Sequence, residues 1–232
     1  MKKIGIIGGI GPESTIEYYR LIIKKFQEKL DTDHYPELLI QNINMTEMIG
    51  YAFNNRITEL VSFLQKRINI LEQSGVDYVA LASNTPHIAF DELSRKVEVP
   101  LISIVEETCE AITNQGIKRL ALFGTNSTMS HGFYQKVAAK YGLEIVIPTE
   151  KDRKYIHNKY IDELIPRNIV TDTKESLIKI AYNLKETHGI EGLILGGTEL
   201  SLILTPSDFE GIRVFDTTEI HVESIVNAMI KN

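Results

Sequence analysis

The chain has 232 residues, 43% of them hydrophobic and 24% charged, with a formal net charge of −6. That length and balance suit a globular chain that buries a core in one large domain or two small ones. The negative charge and the lack of any basic stretch argue against nucleic acid as a partner. The longest apolar runs are strand-length and too short for a membrane span, and a single cysteine, Cys109, excludes an internal disulfide or a cysteine-based metal cluster.

The opening Met1-Lys2-Lys3 and the apolar run behind it meet glycines, Pro12 and Glu13 within a few residues. They are therefore read as a first buried strand over 3–7 rather than a leader, and a cytoplasmic location is expected. A helix is predicted over 14–29, where Ile16, Tyr19, Ile22, Ile23 and Phe26 recur at helical spacing. A strand over 37–43 precedes a helix over 57–73 that carries Leu60, Leu64, Ile68 and Leu71. Strands over 78–82 and 101–105 follow. The next stretch, 106–112, reads as a helix and gives Cys109 a structural role. Beyond it come a strand over 119–123, a helix over 128–141, a strand over 144–147, a helix over 174–186, strands over 192–195 and 213–215, and a last helix over 218–230. Such alternation predicts an α/β protein whose parallel sheets are covered by helices on both faces.

The chain also repeats itself. Lys2 to Gly9 aligns with Lys118 to Thr125, and Gly75 to Thr85 aligns without gaps with Gly189 to Glu199. Two matches in the same order imply a duplication, hence two pseudo-symmetric halves. In open parallel sheets, ligands sit at the carboxyl ends of the strands. Here two matched strands end in Ser83-Asn84-Thr85 and Gly197-Thr198-Glu199. The expectation is two domains with one active-site cleft between them, where equivalent positions on either side of a substrate suit proton removal and return.

Those tips resemble the aspartate/glutamate racemase family, the amino-acid racemases that work without pyridoxal phosphate, and in particular its aspartate-racemase branch. Members typically carry Cys-Asn-Thr in the first half and Gly-Cys-Thr-Glu in the second. Here the matching runs are Ser83-Asn84-Thr85-Pro86-His87 and Gly196-Gly197-Thr198-Glu199-Leu200. The similarity extends to Gly8 through Thr15 with Tyr18-Tyr19, to Gly124 through Met129, to His157 with Glu163-Leu164, and to Phe215 through Thr218 with His221. It implies a discontinuous first domain, 1–99 plus 213–232, and a second domain, 100–212. It also implies a homodimer, a small amino acid or dicarboxylate as ligand, and no cofactor.

The family mechanism implied by the resemblance uses one thiolate to take the α-proton and an opposed thiol to return one, because thiols are tunable toward neutral pKa values. The matching positions are Ser83, a weak base unless activated, and Gly197, which has no side chain. Substitution of both by cysteine is expected to create racemase activity. Candidate proton-transfer groups are Ser83, His87 and Glu199, with Gly197 marking the second family position. Substrate binding falls to Gly9, Asn84, Thr85, Thr125, Thr128 and Thr198.

Each has a plainer alternative. Ser14, Thr15, Ser127, Thr128 and Thr218 precede helices, where hydroxyls cap free N–H groups, His87 suits a polar residue held by a backbone carbonyl, and Glu199 suits a helix-start carboxylate. Gly8, Gly9 and Gly11 lack the spacing of a dinucleotide fingerprint, so a tight turn or close approach to a small ligand is expected. Arg153 and Lys159 lie in a polar stretch between strands, and either reach the cleft or stay solvated. The six histidines show no spacing that reads as a metal site. Two functions remain open: an atypical racemase, or an inactive protein that binds an amino acid or dicarboxylate in the same cleft.

Overall fold

The computed structural model describes residues 1–231. The protein is α/β, with two parallel four-stranded sheets in two compact units. The first unit comprises Met1–Glu107 and the chain from Thr218 on, and the second Thr108–Thr217.

The first unit holds β1 (Ile4–Gly8), α1 (Pro12–Leu30), β2 (Leu38–Asn42), α2 (Met45–Phe53), α3 (Ile57–Gln73), β3 (Tyr78–Leu81), a 3-10 turn (Thr85–Ala89), α4 (Phe90–Leu93) and β4 (Leu101–Ile102). The chain enters the second unit within α5 (Ile104–Thr113). The second unit then holds β5 (Arg119–Gly124), α6 (Asn126–Ser130), α7 (Phe133–Lys140), β6 (Glu144–Val146), α8 (Glu150–Lys159), a π turn (Tyr160–Leu164), α9 (Thr171–His188), β7 (Gly192–Gly196) and β8 (Arg213–Asp216). The chain returns to the first unit at the start of α10 (Thr217–Ile230).

The sheet orders are β2-β1-β3-β4 and β6-β5-β7-β8, one topology written twice. The register repeats as well. Ile4 pairs with Tyr78 and Ile7 with Leu81. The residues aligned to them by sequence, Leu120 with Gly192 and Phe123 with Leu195, pair in the same way.

Strand chemistry explains the burial. A parallel sheet covered on both faces needs apolar residues on both sides of each strand, and successive residues point opposite ways. Ile4 and Ile6 of β1, with Ala80 and Ala82, pack against Tyr18, Leu21, Ile22 and Phe26 of α1 and Val222, Ile225, Val226 and Met229 of α10. Ile7, Val79 and Leu81 face the other way, onto Leu60, Leu64, Ile68 and Leu71 of α3. The last helix therefore completes the core that the first strand begins. Lys2 N–H also donates to Met229 O at 2.9 Å, and Lys25 pairs with Glu219 at 2.9 Å.

The structure corrects several sequence expectations. The division falls after Glu107 and after Thr217, not after 99 and 212. Strand pairing is the reason: β4 bonds to β3 in the first sheet and β8 to β7 in the second. The helix expected over 128–141 is broken at Gly132, whose φ of 78° leaves the helical region. Strand β4 stops at Ile102 because Ser103 turns the chain, its hydroxyl accepting from Glu106 N–H at 3.3 Å. The polar stretch holding Arg153 and Lys159 is helix α8, capped by the Thr149 side chain, which accepts from Asp152 N–H at 3.2 Å. Arg153 donates to Pro148 O at 3.2 Å. Lys159 is ion-paired with Glu163, which raises the lysine's pKa and lowers the glutamate's. Both side chains thus have structural partners inside their own unit. Among the described residues, no helix is long and apolar enough to cross a membrane.

Ile225 is fully buried against both β1 and α1. Truncation to alanine is expected to cost about 2–5 kcal/mol of unfolding free energy. The same change at Ile70, 54% exposed on α3, should stay within about 0.5 kcal/mol. Urea titration of the two variants measures both.

Candidate active site

The carboxyl end of the first sheet gathers Gly8 and Gly9 at the end of β1 and Ser83, Asn84 and Thr85 just after β3. Gly9 has a φ of 82°, and a Cβ there would lie 2.5 Å from Asn42 Oδ1 and 2.7 Å from Ile43 O. Its N–H donates to Thr15 Oγ1 at 2.7 Å, so that donor serves the β1–α1 turn rather than a ligand. Asn84 and Thr85 are buried, at 3% and 7% exposure, and Thr85 opens the 3-10 turn. Ser83 is only partly buried.

His87 has both ring nitrogens engaged. Ile104 N–H donates to Nε2 at 3.2 Å, so Nε2 is the acceptor. The proton therefore sits on Nδ1, which donates to Ser83 O at 3.0 Å. The ring stacks on Phe90, with centroids 5.1 Å apart. Burial, followed by the neighbouring His221, pushes its pKa down to about 3. His87 is thus a neutral imidazole held by backbone on both nitrogens at the β3 tip. It also offers no nitrogen to activate the Ser83 hydroxyl.

His221 of α10 makes the same kind of bridge. Its Nε2 donates to Ile102 O at 3.0 Å, which leaves Nδ1 to accept from Tyr18 O–H at 2.8 Å. Burial pushes its pKa down to about 4.

In the second unit, the equivalent sheet end combines Gly124 and Thr125 at the end of β5 with Gly196 through Glu199 at the end of β7. Thr125 caps α6, its hydroxyl accepting from Thr128 N–H at 3.2 Å and bonding Thr128 Oγ1 at 3.0 Å. Thr128 is fully buried, and its methyl group fills the space above Gly124 and Gly196. This pair thus caps α6 and packs over the two glycines. His157 of α8 accepts from Asn126 N–H at 3.3 Å, and burial lowers its pKa.

Glu199 is 4% exposed. Its Oε2 accepts from the Thr198 hydroxyl at 2.6 Å and from the Tyr160 phenol. Tyr160, the first residue of the π turn after α8, is 7% exposed. Burial foremost, then the charge and hydrogen bond of Glu199, raise its pKa well above the ordinary value. Sequence reasoning missed Tyr160. The available signals were the empty side-chain position at Gly197 and an aromatic residue just beyond a polar helix.

Gly197 is buried against this tyrosine. A Cβ at 197 would lie 2.5 Å from Tyr160 Cε2 and 2.9 Å from Cζ. A cysteine at 197, the second half of the expected double substitution at 83 and 197, therefore requires Tyr160 to shift. Cys109 is fully buried in α5. Among the described residues, no group of three metal-ligating side chains converges.

With this geometry in view, the chain can be set beside known proteins. The model of the Asp/Glu/Hydantoin racemase family matches residues 7–225. A broad specificity amino-acid racemase of Bacillus subtilis is 31% identical over 147 residues, covering 62% of this chain and 63% of that protein. The glutamate racemase of Aquifex aeolicus is 25% identical over 210 residues, covering 85% of this chain and 76% of its own length. The crystal structure of an aspartate racemase homologue from Pyrococcus horikoshii superposes with a TM-score of 0.84 at 37% identity, covering all of both chains.

The two buried histidines set a pH dependence. In the unfolded chain they protonate near a pKa of about 6.5; in the fold they resist protonation down to about 3 and about 4. The unfolded state therefore binds more protons as pH falls below about 6.5, and stability is lost in that direction. At pH 5 the expected loss is of order 2 kcal/mol for each histidine. Thermal unfolding at pH 7.5 and at pH 5 measures it, and an unchanged midpoint contradicts it.

Proposed function

The chain belongs to the Asp/Glu/Hydantoin racemase family, and from that premise we propose that it is a cofactor-independent racemase of a small amino acid, with acid/base groups other than a pair of thiols. Relatives named as racemases of glutamate and of amino acids broadly put acidic amino acids at the head of the candidate substrates.

One observation carries this reading. The repeated register delivers Ser83-Asn84-Thr85 and Gly197-Thr198-Glu199 to equivalent places at the carboxyl ends of β3 and β7, where parallel sheets bind ligands. In this reading the polar groups of Asn84, Thr85 and Thr198 recognise the substrate's carboxylate and amine. Ser83 lies at the first tip and Glu199 at the second, where the proton is handled. A positioned acid or base contributes about 10²–10⁴ in rate, so an enzyme of this design remains a catalyst without thiols but a slower one.

The second reading is a binding protein without chemistry. It is favoured by the engagement of His87 with backbone on both nitrogens, which leaves the Ser83 hydroxyl with no neighbouring imidazole base.

Incubation of purified protein with L- and D-amino acids in heavy water separates the two. The racemase reading expects washout of the α-proton signal and appearance of the opposite enantiomer for at least one amino acid, aspartate or glutamate first. Full retention of the α-proton across the panel contradicts it. Retention accompanied by a raised unfolding temperature with the same acids is the outcome of the binding reading.

A further inference from the structure

At the β7 tip, residue 197 is a glycine with the buried Tyr160 hydroxyl beside it. An ideal Cβ at Gly197 would sit 2.5 Å from Tyr160 Cε2 and 3.0 Å from its Oη, so the ring edge takes the room of a residue-197 side chain and the phenol oxygen lies next to it. It is not there as an inert filler. The phenol donates to Glu199 Oε2, and the Thr198 hydroxyl donates to the same carboxylate oxygen at 2.6 Å. A phenol hydrogen-bonded to a buried carboxylate is arranged to pass a proton to it and to take one back.

We propose that Tyr160 is the proton-transfer residue of the β7 tip, its hydroxyl lying beside Gly197 and working as a relay with Glu199. The proposal rests on the racemase reading and deepens it. In the abstraction direction, the substrate's α-carbon–hydrogen bond breaks, its electron pair stays on carbon, and the proton forms a new O–H bond on Tyr160. The proton that Tyr160 held passes to Glu199 Oε2. Delivery is the reverse: Glu199 returns its proton to the phenol oxygen as the phenol gives its own to the carbanion. Charge is conserved at each step, and no free phenolate is required. That suits a site where burial and the charge of Glu199 keep the tyrosine protonated. Exchange of the relay proton with solvent labels the substrate.

The test follows deuterium uptake at the α-carbon separately for the L and D forms, with the wild-type protein, Tyr160→Phe and Glu199→Gln. In a two-sided racemase each enantiomer loses its proton to a different group. Tyr160→Phe is therefore expected to slow exchange of one enantiomer by about 100-fold or more, with the other kept within a few-fold. Glu199→Gln, which preserves size, should show the same one-sided loss and carries the test if the phenylalanine variant does not fold. An equal loss for both enantiomers would mean a structural role only and overturns the proposal, as does an unchanged Tyr160→Phe. In both cases an exchanging wild-type protein leaves the racemase reading standing. A wild-type protein that exchanges neither enantiomer overturns that reading and the relay with it.

Discussion

Strand register governs everything at the carboxyl edges of these sheets. Side chains on a strand alternate between faces, so a slip of one residue in either half would turn its tip the other way. With Ile7 beside Leu81 and Phe123 beside Leu195, the chain leaves β3 at Ser83 and β7 at Gly197 in equivalent positions. The apolar strand residues hold that register because both faces are covered, by α1 and α10 on one side of the first sheet and by α3 on the other. The chemistry available to the molecule is whatever those two exits carry.

What they carry differs between the halves. At the β3 tip the ionisable group is committed to structure: His87 ties Ser83 O to Ile104 N–H and is held neutral by burial. At the β7 tip a buried hydroxyl and a buried carboxylate face each other, and the carboxylate also accepts from the Thr198 hydroxyl. A polar network of this kind is costly unless every member is hydrogen-bonded, and its members are. The same proximity explains why residue 197 is glycine. The ring edge of Tyr160 stands 2.5 Å from where a Cβ would be, so a side chain at 197 and the tyrosine in its present place exclude each other.

Much of the fold was legible in the sequence because its signals are local. Helix α3 shows apolar residues at helical spacing over its whole length, and the strands are short apolar runs between polar stretches. The duplication could be read because both copies kept their order, and the alignment even anticipates the strand register. The domain boundary was less legible because β4 and β8 are assigned by pairing with strands distant in sequence. Helix α8 escaped notice because Ile156 is its only buried residue, which leaves almost no apolar period to detect. At the site, Ser83, Asn84, Thr85, Thr198 and Glu199 were visible as strand-end motifs. The two hydrogen bonds that occupy His87 and the meeting of Tyr160 with Gly197 are contacts across the fold, and no local pattern announces them.

The claim on which the account turns is that Tyr160 holds the room a residue-197 side chain would use. The most direct measurement is a double-mutant cycle on stability. Gly197→Ala is made in the wild-type protein and in a Tyr160→Leu background, and each is unfolded in urea. The account predicts that the alanine costs about 1–3 kcal/mol beside the tyrosine, as overpacking does, and substantially less once the ring is gone. An equal cost in both backgrounds would contradict it.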